Sequence, residues 1–361
     1  MGRNINTTTL LDTKPTLAVD FNKTLIITTA KEIEYQTVES AGTIVGAESG
    51  DEIYKKVEAF FGGAARVADV DVYGSSTLTD GEALKTALDK LLEEEREFLF
   101  FMLDKFDSTA LTKAAADWGA ANGKIFAYLT SDEEEGDEID SVTAFAATVN
   151  KDQVIAVDGE PYLDAKLIGF MTTTQPGYLP WSWREKIGSR PSKRPLADQK
   201  KLQDANINYI NKERRGIYVT YPGKTASGEF VKNIWGKMNM EDDMHIAIVN
   251  LLKSNNPPGH PGADLNSAPR FDAAIESVII DYASDFRKFI ATWSQQEVDD
   301  GITTQAVGMP KMKVKTKTEY QDNDIRAGKF EIQWTAIPRG ECISGSISGL
   351  LTFDITQVGD K

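Results

Sequence analysis

The sequence predicts a mostly parallel α/β unit in the first half of the chain, an α+β unit in the second half, and extended strand-forming arms at both termini. Short β-branched and apolar runs alternate with helical segments from residue 24 to residue 170, which is the pattern of βαβ units. After residue 229 the order changes to long helices followed by strands, which is typical of an α+β unit. With 361 residues, 41% of them hydrophobic, the chain is long enough for two packed domains.

The first unit is predicted from five short apolar strands and the helices between them. The strands are residues 24–28, 67–73, 98–103, 125–129 and 154–157; the helices are residues 50–61, 139–149 and 162–170 and two more that carry Leu84 to Leu92 and Leu111 to Trp118. The sequence from Thr79 to Glu82 has the form of a capping box, which opens the helix with Leu84. Ser108 is the predicted cap of the following helix, and Gly123 is its predicted end.

Residues 169–235 connect the two units, and proline and glycine residues break this connecting region at several points. Trp181 and Trp183 follow these breaks at the spacing that puts two side chains on one face of a strand. A positively charged connection comes next, which we expect to be solvated: Arg184, Lys186, Arg190, Lys193, Arg194, Lys200 and Lys201. Residues 217–221 have strand composition, and Pro222 and Gly223 turn the chain toward the next helix.

The second unit is predicted from two helices and three strands. Residues 229–253 are largely helical, and residues 271–293 form the longest predicted helix, with a buried stripe from Ala274 to Ile290. Strands are expected over residues 312–320, 330–337 and 343–355.

Charge is distributed unevenly along the chain. Residues 1–160 carry 14 Lys and Arg against 31 Asp and Glu, whereas residues 161–361 carry 26 against 24. An acidic first half argues against nucleic acid as a partner, because phosphate binding needs a concentrated positive surface. The single cysteine, Cys342, excludes an internal disulfide, and no run approaches the ~18 apolar residues of a membrane span. The first residues lack the apolar core of a signal peptide, so secretion by that route is not expected.

Candidate catalytic residues are few and do not converge. The two histidines, His245 and His260, lack partners at metal or triad spacing, and no glycine-rich phosphate loop follows a strand. Lys224 lies in a fragment of such a loop, and Asp104 at a strand end is either a metal-binding carboxylate or part of a solvated turn. The acidic run 132–140 lacks the alternation of a calcium loop and is interpreted as a solvated face. We therefore predict no enzymatic activity, no metal and no cofactor.

Both chain ends are predicted strand formers without a local partner. Thr8, Leu10 and Leu11 lie in the first, and Leu351, Phe353 and Ile355 alternate in the last. An exposed strand edge has unpaired backbone N–H and C=O groups, which favour pairing with another chain. The two ends either pair with neighbouring subunits or pack back on their own subunit.

The order of features in the connecting region resembles that of the contractile-tail sheath proteins of bacteriophages and phage-tail-like particles. In that family an α/β domain ends in a Pro/Gly-broken aromatic segment, and a helix, a strand and a turn then lead into the inner domain. The corresponding features are residues 169–183, 206–210 and 223–229.

The resemblance implies a domain arrangement and a set of partners. Residues 1–20 would be the N-terminal arm, 21–215 the outer domain, 216–344 the inner domain and 345–361 the C-terminal arm. Subunits would form homo-oligomeric hexameric rings, stacked into a helical sheath around a tail tube protein and bounded by baseplate and tail terminator proteins. Arg287 and Lys288 would be polar contacts of a tube-facing helix. Localisation would be the virion tail, after synthesis in the host bacterial cytoplasm, with no membrane insertion.

Two other interpretations remain open. The first is a soluble flavodoxin-like binding protein or enzyme with an appended α+β domain, since fold does not imply function. The second is a tail-tube subunit, although that family is shorter and nearly all β.

Overall fold

The computed structural model of the protein describes residues 7–9, 21–63, 67–106, 109–130, 138–185, 187–253, 268–316 and 331–340. Several residues and segments with a predicted role lie outside the described residues: Leu10, Leu11, Ser108, residues 132–137, Lys186, His260, Cys342 and the C-terminal strand formers Leu351, Phe353 and Ile355.

Strands and helices alternate through the first half of the described chain. The strands are β1 (Thr7–Thr9), β2 (Thr24–Thr28), β3 (Ile33–Val38), β4 (Val70–Gly74), β5 (Phe100–Leu103), β6 (Ile125–Leu129), β7 (Val154–Val157), β8 (Tyr209–Lys212), β9 (Tyr218–Tyr221), β10 (Met312–Thr316) and β11 (Ile332–Ala336). The helices are α1 (Glu52–Phe61), α2 (Gly81–Glu93), α3 (Thr109–Ala121), α4 (Ile139–Thr148), α5 (Leu163–Met171), α6 (Leu196–Asp204), α7 (Val231–Lys253), α8 (Ala268–Ala283) and α9 (Gln295–Asp299). The predicted mixed α/β class is confirmed, and each of the five predicted strands of the first unit is present.

The central sheet of the first unit has the order β3-β4-β2-β5-β6-β7, and all neighbours except β3 and β4 are parallel. Without β3 this is the order 2-1-3-4-5 of flavodoxin-like sheets. Strand β3 was not predicted from the sequence, because its side chains are polar and exposed or half buried at four of six positions. The edge is closed by Gln36, whose side-chain amide donates to Val45 O (3.0 Å) and accepts from Val45 N (2.9 Å).

Two cores cover the two faces of this sheet. Ile26 and Phe100 pack on the first face with α1 and α5, whereas Leu25 and Phe101 pack on the second face with α2, α3 and α4. Successive side chains of each strand pack on opposite faces, and both faces are covered. The sequences of these strands are therefore continuous apolar runs. The cap of α2 is Asp80, not Thr79, since Asp80 accepts from the backbone of Glu82 and Ala83.

The connecting region buries one of its two tryptophans and exposes the other. Trp181 is 1% exposed and packs its ring against Phe100 and Trp235, with centroids 6.1 Å away in both cases. Trp183 is 41% exposed and has a left-handed backbone with φ of 60°. The prediction that both side chains share one face is therefore wrong, because the positive φ turns the chain between them.

The second unit combines α7 and α8 with an antiparallel sheet of order β1-β11-β10. Residues 271–293 do not form one helix: α8 ends at Ala283, and α7 is longer, with 23 residues against 16. The chain reverses because Phe289 N and Ile290 N both donate to Tyr282 O. Residues 290–292 are then extended and bridge to Pro338 and Pro310 at the ends of the sheet strands.

Helix α7 belongs to the cores of both units. Its first turn packs Val231 and Trp235 on the first face of the parallel sheet, and its later turns pack Met240, Met244 and Ile248 against α8 and β11. A continuous helix therefore runs from one core into the other.

Candidate functional site

The carboxyl ends of the parallel strands are where an α/β sheet of this order usually binds ligands. Here Asp104 follows β5 beside Thr28 at the end of β2, and Lys56 of α1 forms a buried ion pair with Asp164 of α5 (2.6 Å). Asp104 is 1% exposed, and neither carboxylate oxygen has a hydrogen-bond partner among the described residues. The interpretation of Asp104 as part of a solvated turn is wrong, because its side chain is buried beside Thr28 and Lys56.

Burial raises the pKa of the Asp104 carboxyl, and the nearby Thr28 hydroxyl and Lys56 ammonium only partly offset it. Because the folded-state pKa lies above the unfolded one, this group favours folding most below the unfolded pKa and loses that contribution as pH rises through the folded pKa. We expect Asp104→Asn to be more stable than the wild-type chain at pH 7–8, by about 1–3 kcal/mol, and to lose that advantage near pH 4.

Urea denaturation between pH 4 and pH 8 measures this difference, with the exposed Asp140→Asn as the matched control. Parallel pH profiles for Asp104→Asn and the wild-type chain would contradict the prediction.

Lys224 does not form a phosphate-binding loop. The backbone N–H groups of Gly223 and Lys224, which such a loop would offer to a phosphate, donate instead to Asn208 Oδ1 (2.9 and 3.1 Å). Asn208 also donates to Ala156 O and Lys224 O, so its buried side chain ties the edge of β7 to this turn. Asn208 was not predicted as a structural residue, and nothing in its sequence neighbourhood indicates this role.

The described part of the chain lacks a cluster of metal-ligating side chains and a membrane-spanning helix. It contains no group of three or more His, Cys, Asp or Glu side chains placed to hold a metal ion. No helix in the described ranges is long and apolar enough to cross a membrane. His245 is half buried in α7, near Asp242.

The positively charged connection is only partly solvated. Arg194 is largely buried and binds Asp158 through two nitrogens, each 2.8 Å from a carboxylate oxygen. Thr130 donates to the same carboxylate. Arg194 is therefore fixed to the sheet, whereas Arg190 and Lys193 remain exposed.

The three-stranded sheet of the second unit is the candidate assembly site. β11 lies between β1 and β10, and the backbone of Thr8 is in register with Gln333. No other described strand pairs with the far edge of β10, where Lys313 and Lys315 are exposed and Thr316 N donates to Asp272. Within the single chain, the strand of residues 7–9 thus pairs with β11 of the same chain; exchange of this strand between subunits stays a prediction.

Arg287 and Lys288 lie in the turn after α8 rather than on a helix. The Arg287 guanidinium binds Asp243 (3.1 Å) and Asp281 (2.9 Å) and stacks over the Tyr282 ring. Lys288 is exposed, as is Phe286 beside it. A tube-facing role for both cations stays a prediction, and Arg287 would have to share its guanidinium with these partners.

Comparison with known proteins gives one kind of match. No family model and no curated protein matches the sequence. The chain is similar to a chain in the cryo-EM structure of the anti-feeding prophage baseplate, six-fold symmetrised, with a TM-score of 0.67 and 13% identity over 98% of this chain and 100% of that one. The two chains share a fold. Since the match covers almost the whole of both, it includes the parallel sheet and the second unit together.

Proposed function

We propose that the chain is a structural subunit of a contractile, phage-tail-like particle, and specifically a sheath subunit. The observation that carries this proposal is the shared fold over nearly the full length of a chain in a prophage baseplate structure. Two observations support a structural rather than a catalytic role. The side chains at the carboxyl end of the parallel sheet are buried, and the N–H groups of Gly223 and Lys224 already donate to Asn208.

In this proposal the subunits form stacked six-fold rings around a tail tube, and contraction of the sheath drives the tube through the target envelope to deliver a genome or effector. Residues 21–215 form the outer domain, and residues 216–344 form the inner domain near the tube. Residues 1–20 and 345–361 act as arms that link neighbouring subunits. The pairing of Thr7–Thr9 with β11 supports this arrangement, because the same pairing can form with a strand from another copy.

The alternative of a flavodoxin-like binding protein or enzyme draws on the strand order alone. Electron microscopy of the purified protein distinguishes the two. A sheath subunit forms rings or helical tubes, whereas a flavodoxin-like protein stays a small oligomer.

Deletion of residues 1–16 or of residues 347–361 should leave a folded subunit that does not form tubes, because neither deletion removes a residue from the cores of the described part of the chain. Circular dichroism and thermal unfolding check the fold, and negative-stain microscopy checks assembly. Tubes from either truncated chain, at the concentration at which the full-length protein forms them, would contradict the role of the arms.

A further inference from the structure

A groove of about 380 Å³ opens between the β8–β9 hairpin and the segment of residues 184–192. Backbone hydrogen bonds hold this segment on both sides of the hairpin. Thr220 N donates to Arg184 O (3.1 Å), and Ser192 N donates to Ile210 O (2.9 Å). The groove is therefore already formed in the single chain, so an occupant would not have to order it.

The lining of this groove is mainly apolar. Ile187 and Ile210 form its buried part, whereas Ile217 and Tyr218 are 44% and 41% exposed. Ser189 Oγ is buried in the lining and has no hydrogen-bond partner among the described residues. Exposed apolar side chains and an unpaired buried hydroxyl favour an occupant that is apolar and also carries a hydrogen-bond acceptor. We call this surface the hairpin groove.

Phe286 has the most exposed aromatic side chain in the described part of the chain, at 70%. It lies in the turn after α8, and we call residues 285–288 the Phe286 turn. The Arg287 guanidinium fixes this turn, because it binds Asp243 (3.1 Å) and Asp281 (2.9 Å) of the two neighbouring helices. A projecting aromatic side chain on a fixed turn loses little conformational entropy when it binds a partner.

The charges of the Phe286 turn complement those of the hairpin groove. The turn carries exposed Asp285 and exposed Lys288, one on each side of the aromatic residue. Arg184 and Glu185 line the groove. Each surface thus has one cation and one anion, and Arg184 can pair with Asp285 while Glu185 pairs with Lys288.

We propose that the Phe286 turn of one copy of this chain docks in the hairpin groove of a second copy. The Phe286 ring covers Ile217 and Tyr218, and removal of this apolar surface from water drives the contact. Because the turn and the groove are different surfaces, the contact is heterologous and repeats from copy to copy into rings or helical arrays. This use of Lys288 is an alternative to the tube-facing role predicted for it. The inference rests on the proposed function only in requiring that the chain self-associates.

Phe286→Asp and Ile217→Asp should each raise the concentration for half-maximal assembly about tenfold or more, because each places a charge in the apolar contact. Both side chains are exposed, so neither substitution opens a cavity in a core. The matched control is Val45→Asp: Val45 is 78% exposed beside the β3 edge, and the same added charge there should leave assembly unchanged. Sedimentation velocity measures assembly, and thermal unfolding confirms that the variants fold.

A mixture of the two variants tests the pairing of these surfaces directly. The Phe286→Asp chain keeps its groove, and the Ile217→Asp chain keeps its turn. An equimolar mixture should therefore form pairs with one copy of each, at concentrations where neither variant associates alone. Three results would each overturn the proposal: a wild-type chain that stays monomeric at its highest soluble concentration, unimpaired assembly of either variant, or a mixture that does not pair.

The same measurements distinguish this contact from the sheath assignment. Tubes that form equally well from the Phe286→Asp chain would contradict the contact and leave the sheath assignment intact. Oligomers that require Phe286 but never form tubes would support the contact and contradict the sheath assignment.

Discussion

Trp181→Ala is expected to lower the free energy of unfolding by about 3–5 kcal/mol, the range for removing a large buried aromatic side chain. The Trp181 ring packs against Phe100 of the sheet and Trp235 of α7, so its loss leaves a cavity where the connecting region meets the core. Trp235 in turn donates to Phe21 O (2.8 Å), which ties the same cluster to the start of the described first unit. The cavity cannot easily collapse, because its walls belong to separate elements.

The matched control is Trp183→Ala, two residues away. Trp183 is 41% exposed, and we expect a loss below about 1 kcal/mol. Urea denaturation followed by circular dichroism measures both variants. Similar losses for the two would mean that burial of Trp181 does not set the stability of this region.

Lys56→Met is expected to lower the free energy of unfolding by about 3–5 kcal/mol, because it leaves the Asp164 carboxylate charged, buried and without its counter-ion. Both side chains are at most 2% exposed, and the remaining hydrogen bond to Asp164 comes from Ala165 N (2.8 Å). The pair joins α1 to α5 on the first face of the sheet, so the loss falls on the whole core of that face.

The double variant Lys56→Met with Asp164→Leu should recover most of that loss, because apolar side chains replace both charges. Lys55, one residue before Lys56 on α1, forms an exposed ion pair with Glu52. Lys55→Met should therefore lower the free energy of unfolding by less than about 1 kcal/mol. A double variant as unstable as Lys56→Met would show that the two charges are not coupled.

The parallel sheet and its helices could be predicted because their signals are local. An apolar run such as Phe126 to Leu129 has to be buried on both faces, wherever the chain goes next. The missing phosphate loop was also evident in the sequence, and the structure adds that Asn208 occupies the N–H groups of the one fragment, at Lys224. Asn208 itself gave no signal, since the four hydrogen bonds of its side chain reach residues 15 to 52 positions away.

By itself, the sequence determined the alternation of strands and helices, the acidic first half and the absence of a phosphate loop. Tertiary structure decided where α8 ends, which tryptophan is buried and where Asp104 lies. Apolar periodicity continues past Ala283, yet Ala291 N donates to Ile337 O and Lys311 N to Ala291 O, which draws this segment onto the sheet. Trp181 and Trp183 have the same composition around them, but only Trp181 meets α7. Apolar periodicity indicates which side chains are buried. The residues that bury them lie far away in the sequence, so only the folded structure shows which residues they are.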